Sequence, residues 1–93
     1  MPYAPGVRLW NGRAMPDGPI VTPEQCRAAR GLLDWSQADL AEAAHVVPAT
    51  IRGLERGKTT PRRLSAEAIR AALENAGVIF LDGTDPGVRL RNA

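Results

Sequence analysis

The chain has 93 residues, which is enough for one compact domain and too few for two. Hydrophobic residues make up 44% of the sequence and charged residues 24%, a typical globular composition that excludes disorder throughout. The formal net charge is only +2, so the overall balance neither requires nor excludes a polyanionic partner.

Residue types that form disulfides, bind metals or catalyse reactions are scarce in this sequence. The chain has one cysteine, Cys26, and one histidine, His45, so an internal disulfide or a zinc site is not expected. No Ser/His/Asp set and no glycine-rich phosphate loop is present, and we therefore expect no enzymatic activity, no cofactor and no metal. Because the sequence has neither a membrane-spanning apolar run nor a secretory signal, we expect a cytoplasmic protein without membrane attachment.

Residues 1–21 are rich in proline and glycine, which discourages helix and predicts an extended arm. Tyr3 and Trp10 are too apolar for a pure linker, so we expect part of the arm to pack on its own domain or on a partner. Arg8 and Arg13 leave a second role open, because basic arms can reach into the minor groove of DNA.

Two capping boxes predict the first helices of a domain that we place at residues 22–77. The first box lies at residues 22–25, with a proline at the first helical position, and its helix is expected to end near Leu33. The second box lies at residues 36–39 and begins helix 2.

Proline, serine and glycine delimit two further helices. Pro48 is expected to open helix 3, which would end at Gly57. Ser65 is expected to cap helix 4, which Gly77 would end.

The tail, residues 78–93, changes from helical to strand periodicity. An apolar run, a turn at residues 82–87 and an alternating run at residues 88–91 predict a β-hairpin. A hairpin alone is marginal, whereas two copies from two protomers would form a larger sheet, so we predict a dimerisation element. The alternative is that the tail packs on its own helices. The residues expected at the dimer interface are Val78, Ile79, Phe80, Leu81, Val88 and Leu90.

Helices 2 and 3 are linked by three residues, which is the arrangement of a helix-turn-helix. Ala41 is small enough to let the two helices approach closely. From Arg52 to Arg63 the chain has five basic residues and one acidic residue. Phosphate binding needs such a local concentration of positive charge more than it needs a high net charge.

The motifs W-S-Q-x-x-L-A and T-I-x-x-L-E-R-G-K, with the proline that follows, resemble those of the phage repressor and Cro family. The resemblance covers residues 22–77 and implies a mainly α, lambda-repressor-like four-helix domain, here followed by a short C-terminal β-hairpin. It implies a bacterial or phage-type, nucleoid-associated transcriptional regulator, with repression the expected mode. Binding to double-stranded DNA would use a homodimer on a palindromic operator, with helix 3 (about 48–56) in the major groove.

The resemblance also assigns roles to residues. Gln37 would lie against a phosphate at the start of helix 2, and Arg56 and Lys58 would contact the DNA backbone. Arg30 and Glu55 match a partly buried salt bridge of relatives, which implies a structural role. The residues expected at DNA are Gln37, Pro48, Ala49, Thr50, Arg52, Gly53, Arg56, Lys58 and Arg62.

Two positions in the turn depart from the family pattern. His45 occupies a site usually held by glycine, where φ is positive, and we expect a strained turn residue there. Val47 replaces the usual polar N-cap of helix 3.

The base-reading positions depart more strongly. Pro48, Ala49 and Gly53 stand where relatives have long polar side chains, and none of them offers a side-chain hydrogen bond to a base. Specificity would then depend on Thr50 and Arg52, on apolar contacts with thymine methyl groups, or on DNA shape.

Two other functions keep the same fold. The protein would be an antitoxin if the arm at residues 1–21 orders on contact with a toxin. It would be a recruitment module if it meets DNA only alongside a partner, which predicts weak autonomous binding. A contact with a polymerase subunit would permit activation instead of repression.

Overall fold

The computed structural model describes residues 8–10, 13–15, 20–81 and 86–91. Within these residues the fold is mainly α, with four helices and two antiparallel strand pairs, which confirms the predicted fold class. The elements in chain order are β1 (Arg8–Trp10), β2 (Arg13–Met15), α1 (Pro23–Leu33), α2 (Gln37–Ala44), α3 (Pro48–Glu55), α4 (Arg63–Asn75), β3 (Val78–Leu81) and β4 (Gly87–Leu90). None of the described helices is long and apolar enough to cross a membrane.

Reciprocal side-chain caps begin α1 and α2, as the sequence predicts. Thr22 Oγ1 accepts from the backbone N of Gln25 at 3.0 Å, and Gln25 Oε1 accepts from the backbone N of Thr22 at 3.0 Å. Ser36 and Asp39 form the same pair of bonds, at 3.0 and 2.9 Å. At the start of both helices, backbone N–H groups that have no partner within the helix therefore donate to neighbouring side chains.

The start of α4 differs from the prediction. Arg62 is the N-cap and α4 begins at Arg63, so Ser65 lies inside the first turn and the prediction that it caps the helix was wrong. The backbone N of Ala66 already donates to the carbonyl oxygen of Arg62 at 2.9 Å, so the helical ladder starts before Ser65. The end of α4 agrees with the prediction, because Gly77 follows with a φ of +110°.

One hydrophobic core is shared by the helices and the C-terminal hairpin. Its largest fully buried side chains are Val21, Cys26, Leu40, Ile51, Ile69, Leu73 and Val78. Phe80 joins them, and Val88 packs against the same cluster. The predicted boundary at residue 77 therefore marks a change of secondary structure within one packed unit.

The hairpin of β3 and β4 packs on α1 of the same chain. Gln25 lies in α1 and its Nε2 donates to the carbonyl oxygens of Leu81 and Gly87, both at 3.2 Å. Val78 is 1% exposed and Phe80 9% exposed. These two side chains face the core of their own chain, which corrects the prediction that they lie in a dimer interface.

The N-terminal arm contains a strand pair that the sequence analysis did not predict. In the β1–β2 pair, Trp10 lies opposite Arg13 and Arg8 opposite Met15. The predicted packing of Tyr3 and of the Trp10 side chain lies outside the described residues, as does a groove contact by either arginine side chain.

Candidate nucleic-acid interface

A short turn connects α2 to α3. His45 is exposed and left-handed, with a φ of 57°, and its backbone N donates to the carbonyl oxygens of Ala41 and Glu42. The expectation of a positive φ at this position is confirmed. Ala41 is buried between the helices, and α3 starts at Pro48 without a side-chain cap from Val47.

A bidentate ion pair joins α1 to the end of α3. Arg30 Nε lies 2.6 Å from Glu55 Oε2, and Arg30 Nη2 donates to Glu55 Oε1 at 2.8 Å. Arg30 Nη1 also donates to the carbonyl oxygen of Trp35 at 2.9 Å. A fork-to-fork contact of this kind fixes both partners in orientation as well as in distance. The structure thus holds α3 at a set angle to α1.

Two neutral groups complete this ion-pair cluster, which consists of Cys26, Arg30, Gln37 and Glu55. Cys26 Sγ donates to Glu55 Oε2 at 3.1 Å, and Gln37 Nε2 donates to Glu55 Oε1 at 3.1 Å. Glu55 is 5% exposed, and its carboxylate accepts from three different side chains. Its charge is therefore compensated by side chains of the same chain.

The electrostatics of the cluster favour an ionised Glu55. Burial raises the pKa of Glu55, but the hydrogen bonds from Arg30, Cys26 and Gln37 lower it more, so its pKa lies below the ordinary value of 4.5. Burial, together with the bond to Glu55, raises the pKa of the Cys26 thiol. Cys26 therefore stays protonated and serves as a donor.

The solvent-facing side of α3 has short side chains at its centre and arginines beside them. Pro48, Ala49, Arg52 and Arg56 are exposed, and Gly53 is half-buried. The opposite side of the helix is buried in the core. We call Pro48, Ala49, Arg52, Gly53 and Arg56 the exposed face of α3.

Positive charge without an acidic partner is concentrated on α3 and the loop after it. Arginines of α1 and α4 pair with glutamates, as in Arg63 Nε to Glu67 Oε1 at 2.9 Å and Arg70 Nε to Glu74 Oε2 at 3.4 Å. By contrast, four exposed basic residues of this region have no ion-pair partner among the described residues: Arg52, Arg56, Lys58 and Arg62. Arg89 and Arg91, at the C-terminal hairpin, are also exposed and without such a partner.

A family model described as helix-turn-helix matches residues 27–75, which include α2, the turn and α3. The chain belongs to this helix-turn-helix family, of the Cro and lambda-repressor type. It is therefore a DNA-binding transcriptional regulator. A search of curated proteins finds no significant match to the chain.

Within this helix-turn-helix regulator, Gln37 has a role that sequence reasoning missed. It begins α2 as expected and is half-buried, but its side-chain amide donates to Glu55. Its contact with a phosphate stays a prediction. Sequence reasoning considered Cys26 as a disulfide or zinc residue, and only the fold shows that its thiol donates to Glu55.

Proposed function

We propose that this helix-turn-helix regulator is a repressor that binds a palindromic operator as a homodimer. The supporting observation is the exposed face of α3, which is bordered by basic residues without acidic partners. In the proposed complex α3 lies in the major groove, and the two copies contact half-sites about 34 Å apart. The basic residues Arg56, Lys58 and Arg62 contact phosphates and so position the helix.

Base reading in this proposal depends on few groups. Arg52 is exposed and can donate to guanine, the strongest polar contact available on α3, while Thr50 is half-buried and offers a hydroxyl. Pro48 and Ala49 provide apolar contacts for thymine methyl groups. We therefore propose that DNA shape contributes a large part of the preference.

Selection of bound fragments from random and genomic DNA with purified protein tests this function. The expected result is a shared site with two-fold symmetry and half-sites about one helical turn apart. Recovery of fragments without any common sequence would contradict operator binding. Transcription in vitro from a promoter that overlaps the selected site then tests repression, since an increased yield of transcript would contradict it.

The dimer in this proposal uses the outer side of the C-terminal hairpin. Leu81 is 44% exposed and Ile79 is half-buried on this side. Leu90 is 41% exposed but lies opposite Val78, on the side of the hairpin that faces the core. Removing the whole tail would also remove Val78 and Phe80 from the core, so substitutions at the exposed positions give a cleaner test.

Leu81→Asp tests the hairpin interface, and Leu32→Asp is its control. Leu32 lies in α1 and has the same exposed fraction, 44%. We expect Leu81→Asp to weaken self-association in sedimentation equilibrium, because it introduces a desolvated charge, while Leu32→Asp leaves self-association unchanged. A folded Leu81→Asp protein that dimerises as strongly as the original would contradict this interface.

A further inference from the structure

The loop after α3 folds back over the carbonyl end of the helix. Gly57 has a φ of +67°, a conformation that glycine adopts without strain, and the chain reverses there. The backbone N atoms of Lys58 and Thr59 both approach the carbonyl oxygen of Gly53, at 3.1 and 3.4 Å. Residues 58 and 59 are therefore fixed relative to α3.

The absence of a side chain at Gly53 makes this arrangement possible. A Cβ built on Gly53 would overlap Thr59 Oγ1. The Thr59 hydroxyl thus lies where a side chain of residue 53 would leave the helix. Because residues three and four apart share a helix face, this position lies between Ala49 and Arg56 on the exposed face of α3.

The Thr59 hydroxyl also has unused hydrogen-bonding capacity. Thr59 is exposed, and its hydroxyl makes no hydrogen bond to another part of the chain that the structure describes. A hydroxyl supplies one donor and accepts through two lone pairs. Arg52, Arg56 and Lys58 provide charge around it, whereas neighbouring Ala49 and Gly53 provide no polar side-chain atom.

We propose that Thr59 is a DNA-contacting residue whose hydroxyl, held over Gly53, hydrogen-bonds to the duplex in place of the side chain that α3 lacks there. This inference rests on the proposed DNA interface and adds to it a residue that comes from the loop. The acceptor is an oxygen or nitrogen of the duplex, on a phosphate or on a base edge. Glycine at position 53 is then part of the interface, because it leaves room for Thr59.

Thr59→Val tests this contact, because valine keeps the branched shape and removes only the hydroxyl. We expect about a tenfold loss of affinity for the selected DNA site, the size of one hydrogen bond to a charged or polar acceptor. The salt dependence of binding stays unchanged, since threonine has no charge. Thr59→Ser retains the hydroxyl and restores most of the affinity. Thr60→Val, at the neighbouring exposed threonine, is the control and leaves affinity unchanged.

Gly53→Ala supplies a second, independent test. The added methyl group displaces the Thr59 hydroxyl, so affinity falls in the original protein but changes little in the Thr59→Val background. A coupling of this kind in a double-mutant cycle is expected only if both residues act through one contact. Thermal unfolding of each variant verifies that it is folded.

The outcomes separate this inference from the proposed function. An equal loss of affinity on all DNA sequences identifies a phosphate contact, and a changed preference identifies a base contact; both support the inference. If the original protein binds its site and Thr59→Val binds equally well, or if Thr60→Val loses as much, Thr59 is not the contact. If the original protein selects no DNA site, the proposed function itself fails.

Discussion

The two sides of α3 use their polar groups in opposite ways. On the inner side, the Glu55 carboxylate accepts from Arg30, Cys26 and Gln37 and is almost fully buried. On the outer side, Pro48 and Gly53 offer no side-chain donor, and the basic residues nearby have no acidic partner among the described residues. The buried carboxylate has its hydrogen-bond partners within the chain, whereas the exposed basic side chains are available to bind another molecule.

If the proposed interface is correct, stability and DNA binding depend on separate residues of one short helix. Loss of a partner in the ion-pair cluster leaves a buried charge, which affects folding. Loss of an unpaired exposed cation affects the fold little, because most surface substitutions change stability by less than about 0.5 kcal/mol. Substitutions on the two sides of α3 therefore test whether the two functions are separable.

The largest expected effect belongs to the ion-pair cluster. Arg30→Ala leaves the Glu55 carboxylate buried without its cation, and we expect a loss of about 3 kcal/mol in the free energy of unfolding. Glu67→Ala breaks the more exposed Arg63–Glu67 pair and is the matched control, with an expected loss below about 0.5 kcal/mol. Urea denaturation monitored by circular dichroism measures both.

The double variant Arg30→Met, Glu55→Leu sharpens this test. Because it removes both charges, we expect a smaller loss of stability than for Arg30→Ala alone. Equal losses in Arg30→Ala and Glu67→Ala would contradict the distinction between a buried pair and a surface pair.

The pH dependence of stability provides a second test of the inner side. The pKa of Glu55 is lower in the folded protein than its ordinary value of 4.5, so its contribution is complete above that value. The contribution is lost as the pH falls through the lowered pKa, because protonation breaks the ion pair. Urea denaturation at a series of pH values between 7 and 3 follows this loss. Glu55→Gln cannot titrate at this position and shows a shallower decline; an unchanged decline would assign the effect to other carboxylates.

Three helix boundaries, unlike the start of α4, were predictable because they depend on local chemistry. Thr22 and Ser36 cap their helices through residues three positions away, and Gly77 ends α4 with its own backbone conformation. Asn11-Gly12, between the paired residues Trp10 and Arg13, is a dipeptide favoured in two-residue hairpin loops. This dipeptide favours a strand pair such as β1–β2, but the prediction followed the proline and glycine content of the arm, which favours an extended segment.

The contacts that the sequence left undetermined depend on how the elements pack together. Gln37 donates to Glu55, 18 positions further along the chain, because the packing of α2 against α3 brings the two side chains together. Alternation at residues 88–91 predicts a strand, but which side of the hairpin is buried follows from the packing of Val78, Phe80 and Val88 in the core. Gly53 was expected at DNA for its position alone, and its relation to Thr59 follows from the path of the loop.

The outer side of α3 is tested by its unpaired cations. We expect Arg56→Ala and Lys58→Ala to weaken binding to all DNA sequences and to lower the salt slope of binding by about 1 each, since each removes one phosphate contact. Their free energies of unfolding change by less than about 0.5 kcal/mol. Fluorescence anisotropy at several salt concentrations measures the slope. An unchanged affinity and slope in both variants would exclude this part of the surface from the interface.

The smallest expected effect lies at His45, in the turn that connects α2 to α3. His45 has a φ of 57°, which costs about 1–2 kcal/mol for most L-residues, whereas glycine gives up about 0.5–1 kcal/mol through its greater freedom in the unfolded chain. We therefore expect His45→Gly to raise the free energy of unfolding by about 0.5 kcal/mol, the approximate difference between these two amounts. Asp34 follows α1 and has the same φ, so Asp34→Gly is the control: it removes the same backbone strain at a site away from this turn. If relief of the backbone is the whole effect, both variants gain stability and bind DNA as the original does. A loss of DNA affinity in His45→Gly alone would mean that the rigidity of the turn also positions the outer side of α3, and the separation of stability from binding would then fail at this residue.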